Sequence, residues 1–330
     1  MNILVTGCAG FIGYSFIKKI AHTKYKIYGI DNFTNNYDVR LKLKRLKNLR
    51  EFFRRKKLKF HFKNIDLTSK KKIEKSKLLK NIDIIFNFAA LPGIRYSMKY
   101  PKKVYKNNVK SFNNILSLAK ETKLIVYASS SNVYSGINSS IPFKESAKIG
   151  IQKNTYGKSK RNNELVAKKS KKNNSKLIGL RFFSVYGPWG RPDMAYYSFT
   201  KNILSNKPIN LFGDNYRDMT FIDDVVLILS RLFKDFERGK IKRYFKSNQT
   251  RATIFNIGAG ARVKTSKLIK IIEKLNKKKA LINYKPYNNF EMKSTLSNSD
   301  QIIKLTKYKK FKKINSGMKI FNNWFKAYGI

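Results

Sequence analysis

Two rhythms of apolar residues alternate along the first half of the chain. Short runs rich in Ile, Leu, Val and Phe occur at Asn2–Thr6, Tyr25–Ile30, Lys59–Phe62, Ile82–Phe88, Lys123–Ala128 and Lys176–Phe182. Such runs read as strands. Between them lie segments with apolar residues at helical spacing, among them Phe16–Ile20 and the stretch carrying Phe112, Ile115, Leu116 and Ala119. Repeated βα units predict an α/β fold with a doubly wound parallel sheet. After Pro188 the alternation weakens, and Pro, Gly and aromatic residues punctuate the chain. We therefore expect a main domain over residues 1–182 and a smaller region over 183–330.

The first strand runs into Gly7, Gly10 and Gly13, and a helical segment follows. Strand, glycine turn and helix form the setting of a dinucleotide-binding loop. The first glycine permits the turn, the second a close approach of pyrophosphate, and the third tight packing of helix on strand. The helix N-terminus then presents N–H groups to the phosphates. The second strand ends at Asp31, about 20 residues beyond the loop, where a carboxylate accepts from ribose hydroxyls. It would repel a 2′-phosphate, so NAD is expected rather than NADP. The fold expected is then of the Rossmann type, with ligands beyond the carboxyl ends of the strands. Gly7–Gly13, Asp31, Asp66 and Leu67, Ala89 and Ala90, Ser129–Ser131, and Phe183 and Ser184 all fall there.

Tyr156 and Lys160 stand four residues apart, on one face of a helix. A phenol has a pKa of about 10, and a neighbouring ammonium lowers it. The pair is expected to act as an acid/base on a sugar or alcohol hydroxyl. Ser129-Ser-Ser131 follows a strand and suits either a helix cap or a hydroxyl relay.

Charge changes this picture less than its size suggests. Among 330 residues, 72 are Lys or Arg and 19 are Asp or Glu, for a formal net charge of +53. A basic balance of that kind points to nucleic acid or an anionic membrane. Here the lysines are spread along the whole length, with no concentrated stripe and no zinc pattern, so no specific nucleic acid is expected. We read the excess as drift toward residues with A/T-rich codons, which a G/C-rich source genome would contradict. The densest stretch, Lys42–Lys59, reads as a solvated helix face. No apolar run reaches membrane-spanning length. The first strand starts almost at Met1, so no cleavable signal and no membrane are expected. A single cysteine, Cys8, fits a reducing cytoplasm and reads as a packed thiol. His22 and His61 offer no metal spacing, so no metal is expected.

The assembled motifs resemble the extended short-chain dehydrogenase/reductases that act on nucleotide sugars, and most of all the UDP-glucuronate 4-epimerases. The resemblance runs nearly end to end. It includes Gly29–Asn32, Ala89–Ser97, Tyr127–Tyr134, Tyr156–Lys160, Leu180–Ala195, Arg217–Asp223 and Phe255–Gly258. It implies that Tyr156, Lys160 and Ser130 are catalytic, with Ser131 the fallback for the hydroxyl. It implies that NAD is held by Gly7, Gly10, Phe11, Ile12, Gly13, Asp31, Asn32, Asp66, Leu67, Ala89, Ala90, Asn108, Tyr156, Lys160 and Phe183. A UDP-sugar would be met by Arg95, Ser130, Ser131, Ser184, Arg191, Arg217 and Glu291. Arg191 is the expected partner of a sugar carboxylate, with Arg95 second, and Arg217 that of the diphosphate, a role compatible with a structural pair with Asp218. Glu291 stands where the family has an Asp on a ribose. Related 4,6-dehydratases carry Asp-Glu, and decarboxylases a Glu, where this chain has Ser131 and Asn132. The absence of both carboxyls favours oxidation and re-reduction at C4 without elimination. The epimerases usually have Ser and Gly where Asn132 and Ser135 stand here. The resemblance also implies that 221–258 returns to the main sheet. It implies a homodimer formed through helices near Val104–Lys120 and Tyr156–Lys169.

Overall fold

The computed structural model describes residues 1–137, 141–170, 175–247, 249–308 and 310–328. In chain order its strands are β1 (Asn2–Thr6), β2 (Lys26–Asp31), β3 (Phe60–Asn64), β4 (Ile84–Asn87), β5 (Leu124–Ser130), β6 (Lys176–Phe182), β7 (Ser184–Tyr186), β8 (Ile209–Phe212), β9 (Tyr216–Phe221), β10 (Ala252–Ile257), β11 (Arg262–Lys264) and β12 (Ile282–Lys285). Seven of them hydrogen-bond in the order β10-β6-β5-β4-β1-β2-β3. All the pairings in this sheet are parallel. Val5 stands between Gly29 and Phe86, which sets the register at the centre. The order reverses between β1 and β4, and that reversal opens the crevice in which such sheets bind ligands.

Side chains alternate across the sheet, and each face buries its own half. Ile3, Val5, Ile84 and Phe86 join one apolar cluster, while Leu4, Ile85, Ile125 and Leu177 join the other. β4 is buried at every position, as a central parallel strand must be. β3 is the edge strand, and its mostly exposed Phe-His-Phe-Lys-Asn sequence suits that place. Phe112, Ile115, Leu116 and Ala119 belong to the second cluster and are buried within this chain. That apolar face, offered above for dimerisation, is spent on the chain's own sheet.

Beyond β6 the chain builds a second layer. β11, β9 and β7 form a three-stranded sheet, and β12 pairs with β8. The Ile222–Glu237 helix then packs on the Phe11–Ile20 helix, with Phe233 against Tyr25 and Phe86. β10 closes the main sheet beside β6. The two layers are thus interleaved along the chain.

The Thr155–Lys169 helix is fixed to the sheet by a buried ionic network. Asn154 caps it, accepting from Gly157 N at 2.8 Å. Glu164, on the same helix, accepts from Arg181 Nε and Nη2 at 2.8 Å each, and from Ser129 Oγ at 2.6 Å. Arg181 Nη1 donates to the Tyr134 hydroxyl at 2.7 Å, which donates to Asn256 Oδ1 at 2.8 Å. One helix is thereby tied to β5, β6 and β10. Removing one member of a buried pair costs about 3–5 kcal/mol, whereas replacing both by apolar groups is often neutral. Urea denaturation should therefore show Arg181→Met destabilised by about that amount. The double variant Arg181→Met/Glu164→Leu should recover most of the loss. An unrecovered double variant would show that the network contributes more than mutual neutralisation.

Candidate active site

Every residue assigned above to the site, except Asn108, lines one cleft of about 470 Å³ beyond the carboxyl ends of the central strands. At one end is the glycine loop. Gly7 has φ +66°, and a Cβ there would stand 2.9 Å from Ala89 N. A Cβ on Gly13 would lie 2.3 Å from Gly7 O, so the third glycine lets the helix close on the turn. No side chain caps the Phe11–Ile20 helix, so its first N–H groups face the cleft unclaimed by a cap. Asp31 ends β2, accepting from Ala9 N at 3.1 Å and Phe33 N at 2.9 Å. These features fit a dinucleotide: open N–H groups for pyrophosphate and a carboxylate for a ribose. Cys8 is fully buried, and burial, with Asp31 beside it, pushes its thiol well up. It is a packed thiol.

Asn108 is a correction. Its Oδ1 accepts from Leu91 N at 2.7 Å, and its Nδ2 donates to Leu91 O and to Ser159 Oγ at 3.0 Å. It holds the loop after β4 onto the Tyr156 helix and does not line the cleft.

The centre of the cleft holds Tyr156, Lys160 and Ser130. Tyr156 is in the first turn of its helix, and Lys160 Nζ lies 5.8 Å from the Tyr156 ring centre. Lys160 is buried and donates to Ala128 O at 2.9 Å; burial pushes its pKa down to about 8. Tyr156 departs from the expected depression. Burial raises its pKa, and the groups that oppose the rise are Arg191 and a hydrogen bond with Ser130, not Lys160. Ser130 Oγ accepts from Asn132 N and Nδ2 at 3.2 Å each. With both contacts taken as acceptor, its own proton is left for the Tyr156 oxygen. Ser130 is thus both the cap of the following turn and the hydroxyl beside Tyr156. Ser131 is buried at the same wall and has no such contact with Tyr156 among the described residues.

At the far end the cations are paired in ways the sequence did not show. Arg217 does not bind Asp218. It donates to Glu291 Oε2 at 3.0 Å and to Met292 O at 2.7 Å, while Asp218 is buried against Ala259 N, Gly260 N and Ser297. Glu291 also lies 3.5 Å from Arg95 Nε, so its carboxylate joins two arginines rather than standing open to a ribose. Arg95 stacks on Phe212 and is largely exposed. Arg191, the expected partner of a sugar carboxylate, already has a carboxylate of its own. It forks onto Asp193, with Nε–Oδ1 at 2.9 Å and Nη2–Oδ2 at 2.6 Å. Burial works against both charges, yet the pair holds Arg191 above and Asp193 below its ordinary pKa.

The engagement of Asp193, Lys42 and Arg45 went unread in the sequence; the first two line the cleft. Lys42 and Arg45 lie in the stretch read as a solvated face, and both are buried. The Val39–Arg55 helix buries Leu41, Leu46, Leu49 and Phe53, and positions 42 and 45 sit on that stripe. The 3.6-residue period could have found them. Lys42 lines the cleft and donates to Thr34 Oγ1 at 2.9 Å and Asn36 Oδ1 at 3.0 Å. Arg45 donates to Ala9 O, Trp189 O, Gly190 O and the Tyr37 hydroxyl. It clamps the glycine loop to the loop that carries Arg191.

Comparison with known proteins agrees with this geometry. The chain belongs to the NAD dependent epimerase/dehydratase family, which it matches over residues 3–258. It is 39% identical to an uncharacterised protein of Methanocaldococcus jannaschii, with 98% of this chain and 96% of that protein covered. It is 32% identical to UDP-glucuronate 4-epimerase 4 of Arabidopsis thaliana, covering 99% of this chain and 76% of the relative. The crystal structure of UDP-glucuronic acid 4-epimerase from Bacillus cereus, in complex with UDP-glucuronic acid and NAD, superposes with a TM-score of 0.86. The two are 29% identical, over 99% of this chain and 100% of that one.

The buried Lys160 carries a pH signature. Its folded pKa of about 8 lies below the ordinary 10.5, so the unfolded state binds the extra proton between those values. The cost of burying the charge is complete below pH 8 and disappears as the pH rises to 10.5. Measured by urea unfolding, wild type should therefore gain stability relative to Lys160→Met between pH 8 and pH 10.5. A pH-independent difference would mean that Lys160 is solvated and keeps its ordinary pKa in the folded state.

Proposed function

We propose that this protein interconverts UDP-glucuronate and UDP-galacturonate by epimerising C4 of the sugar, with NAD as cofactor. The observation that carries the reading is the placement of Ser130, Tyr156 and Lys160 midway along a cleft with a dinucleotide loop at one end and Arg191, Arg217 and Arg95 at the other. NAD, when bound, supplies the acceptor and donor of a hydride at C4. Tyr156 takes the 4-hydroxyl proton and later returns it, with Ser130 as its hydrogen-bond partner. Burial raises the Tyr156 pKa, Arg191 and the Ser130 hydrogen bond oppose that rise, and Asp193 adds to it. Lys160 holds the nicotinamide ribose. Arg217, fixed by Glu291, faces the diphosphate. Asn132, an amide, holds Ser130 where related dehydratases and decarboxylases carry an acid, so this wall is built for proton relay without elimination.

The organisation follows the same logic. Residues 1–182 with 221–258 make the NAD-binding domain, and most of 183–330 forms the UDP-sugar region. We place the enzyme in the cytoplasm, in the supply of sugars for polysaccharide. We also propose a homodimer, with the exposed Tyr105 and Leu165 on the packed Pro101–Leu118 and Thr155–Lys169 helices at its seam. Light scattering at micromolar concentration tests this, and a monomer would dismiss it.

Incubation with UDP-glucuronate and with UDP-glucose, followed by product separation, decides the substrate. UDP-galacturonate as product is expected; UDP-xylose, or conversion of UDP-glucose alone, would reject the reading. Tyr156→Phe keeps the ring and removes the acid/base oxygen, so kcat should fall by about two to four orders of magnitude. Denaturing the purified protein should release NAD, and Asp31→Ala should weaken both its retention and the discrimination against NADP.

A further inference from the structure

The fork between Arg191 and Asp193 leaves part of the guanidinium unused. Asp193 takes Nε–H and one Nη2–H. Of the five N–H groups of an arginine, three remain, two on Nη1 and one on Nη2. They have no hydrogen-bond partner among the described residues, although the side chain is only 19% exposed. The guanidinium is therefore held by one edge and open along the other, in the same cleft as Tyr156 and Ser130. Gly93 shapes the seat. A Cβ there would stand 3.3 Å from Asp193 Oδ2 and 3.6 Å from Arg191 Nη2, so the ion pair lies against bare backbone.

We infer that Asp193 is a positioning residue for substrate selection: it aims the open edge of Arg191 at a carboxylate on the sugar, so that one guanidinium bridges two carboxylates. The inference rests on the function proposed above and adds the means by which the acid sugar is told from a neutral one. A guanidinium is planar and can meet a carboxylate bidentately along either edge. A sugar acid that displaced Asp193 would have to break both arms of the fork, whereas the open edge offers N–H groups with no partner to displace, so it binds at the open edge. The arrangement also answers a problem peculiar to this chain. With 72 cationic side chains, attraction to an anion is available almost everywhere and discriminates little. A guanidinium already neutralised by its own carboxylate holds a second anion only where the geometry fits.

The test uses the NAD-loaded enzyme, calorimetric titration with UDP-glucuronate and UDP-glucose, and turnover of UDP-glucuronate. Asp193→Ala should weaken UDP-glucuronate about ten- to a hundredfold more than UDP-glucose, and the loss in kcat/KM should lie mainly in KM. Asp193→Asn keeps the size and one acceptor oxygen, so it should fall between wild type and Asp193→Ala. It also serves if the alanine variant does not fold. In an Arg191→Ala background, removing Asp193 should no longer weaken UDP-glucuronate more than UDP-glucose, because the guanidinium that it positions is gone. Tighter UDP-glucuronate binding in either Asp193 variant would make Asp193 a competitor and overturn the inference. Equal losses on both sugars, or additive losses in the double variant, would overturn it as well. If wild type does not epimerise UDP-glucuronate at all, the proposed function falls and takes this inference with it. If wild type does, those failures remove only the positioning role.

Discussion

The ion pair between Glu164 and Arg181 is the constraint on which the arrangement of the site depends. Tyr156 and Lys160 are useful only if their helix stands at one height and rotation against β5, where Ser130 lies. Apolar packing fixes such a helix loosely, because side chains of similar volume can slide past one another. A buried carboxylate and guanidinium cannot slide without losing directional contacts in a medium that makes the loss expensive. Glu164 stands on the same helix as Tyr156, and Ser129, which donates to it, adjoins Ser130. The pair therefore sets the distance between the two oxygens that share a proton.

Arg45 performs the equivalent task across the cleft without a counter-charge. Its hydrogen-bond partners are carbonyls of the glycine loop and of the Trp189–Gly190 turn, with one phenol. A buried cation so surrounded is tolerated because every contact is charge-assisted. The consequence is that the glycine loop and the turn that leads into Arg191 are held by one side chain. Trp189 has φ +63° and packs against Tyr14, Trp324 and Tyr328, so the turn is held from both sides.

The scarcity of acids gives these contacts a further meaning. Only 19 of the 330 residues are Asp or Glu. Several of them are engaged inside the fold: Asp31 on the glycine loop, Glu164 under the catalytic helix, Asp193 on Arg191, Asp218 on the Gly258–Gly260 turn, and Glu291 between two arginines. An exposed ion pair contributes little, so an acid on the surface is lost at small cost. An acid that neutralises a buried cation is not replaceable in that way.

The alternating apolar runs determined the sheet, because strands buried on both faces must be continuously apolar whatever lies around them. Gly7, Gly10 and Gly13, Asp31, Tyr156 and Lys160 were legible for a similar reason. Each acts through backbone geometry or through spacing along one element, and both are properties of local sequence. What local sequence could not determine was the choice of partner for a side chain in a crowded cleft. Arg217 stands beside Asp218 in sequence yet pairs with Glu291, because adjacent residues on β9 point to opposite faces. Asn108 was read as a ligand contact and lies behind the cleft wall, where Leu91 and Ser159 arrive from distant segments to use its amide. Phe112 and Ile115 stand at helical spacing near the expected dimer helices, and both are buried in this chain's own core. Lys42 and Arg45 looked solvated within a run of cations, although their helical phase placed them inward. The pKa of Tyr156 was the most tertiary property of all. It follows from burial and from Arg191, thirty-five positions away, rather than from the lysine one turn along its own helix.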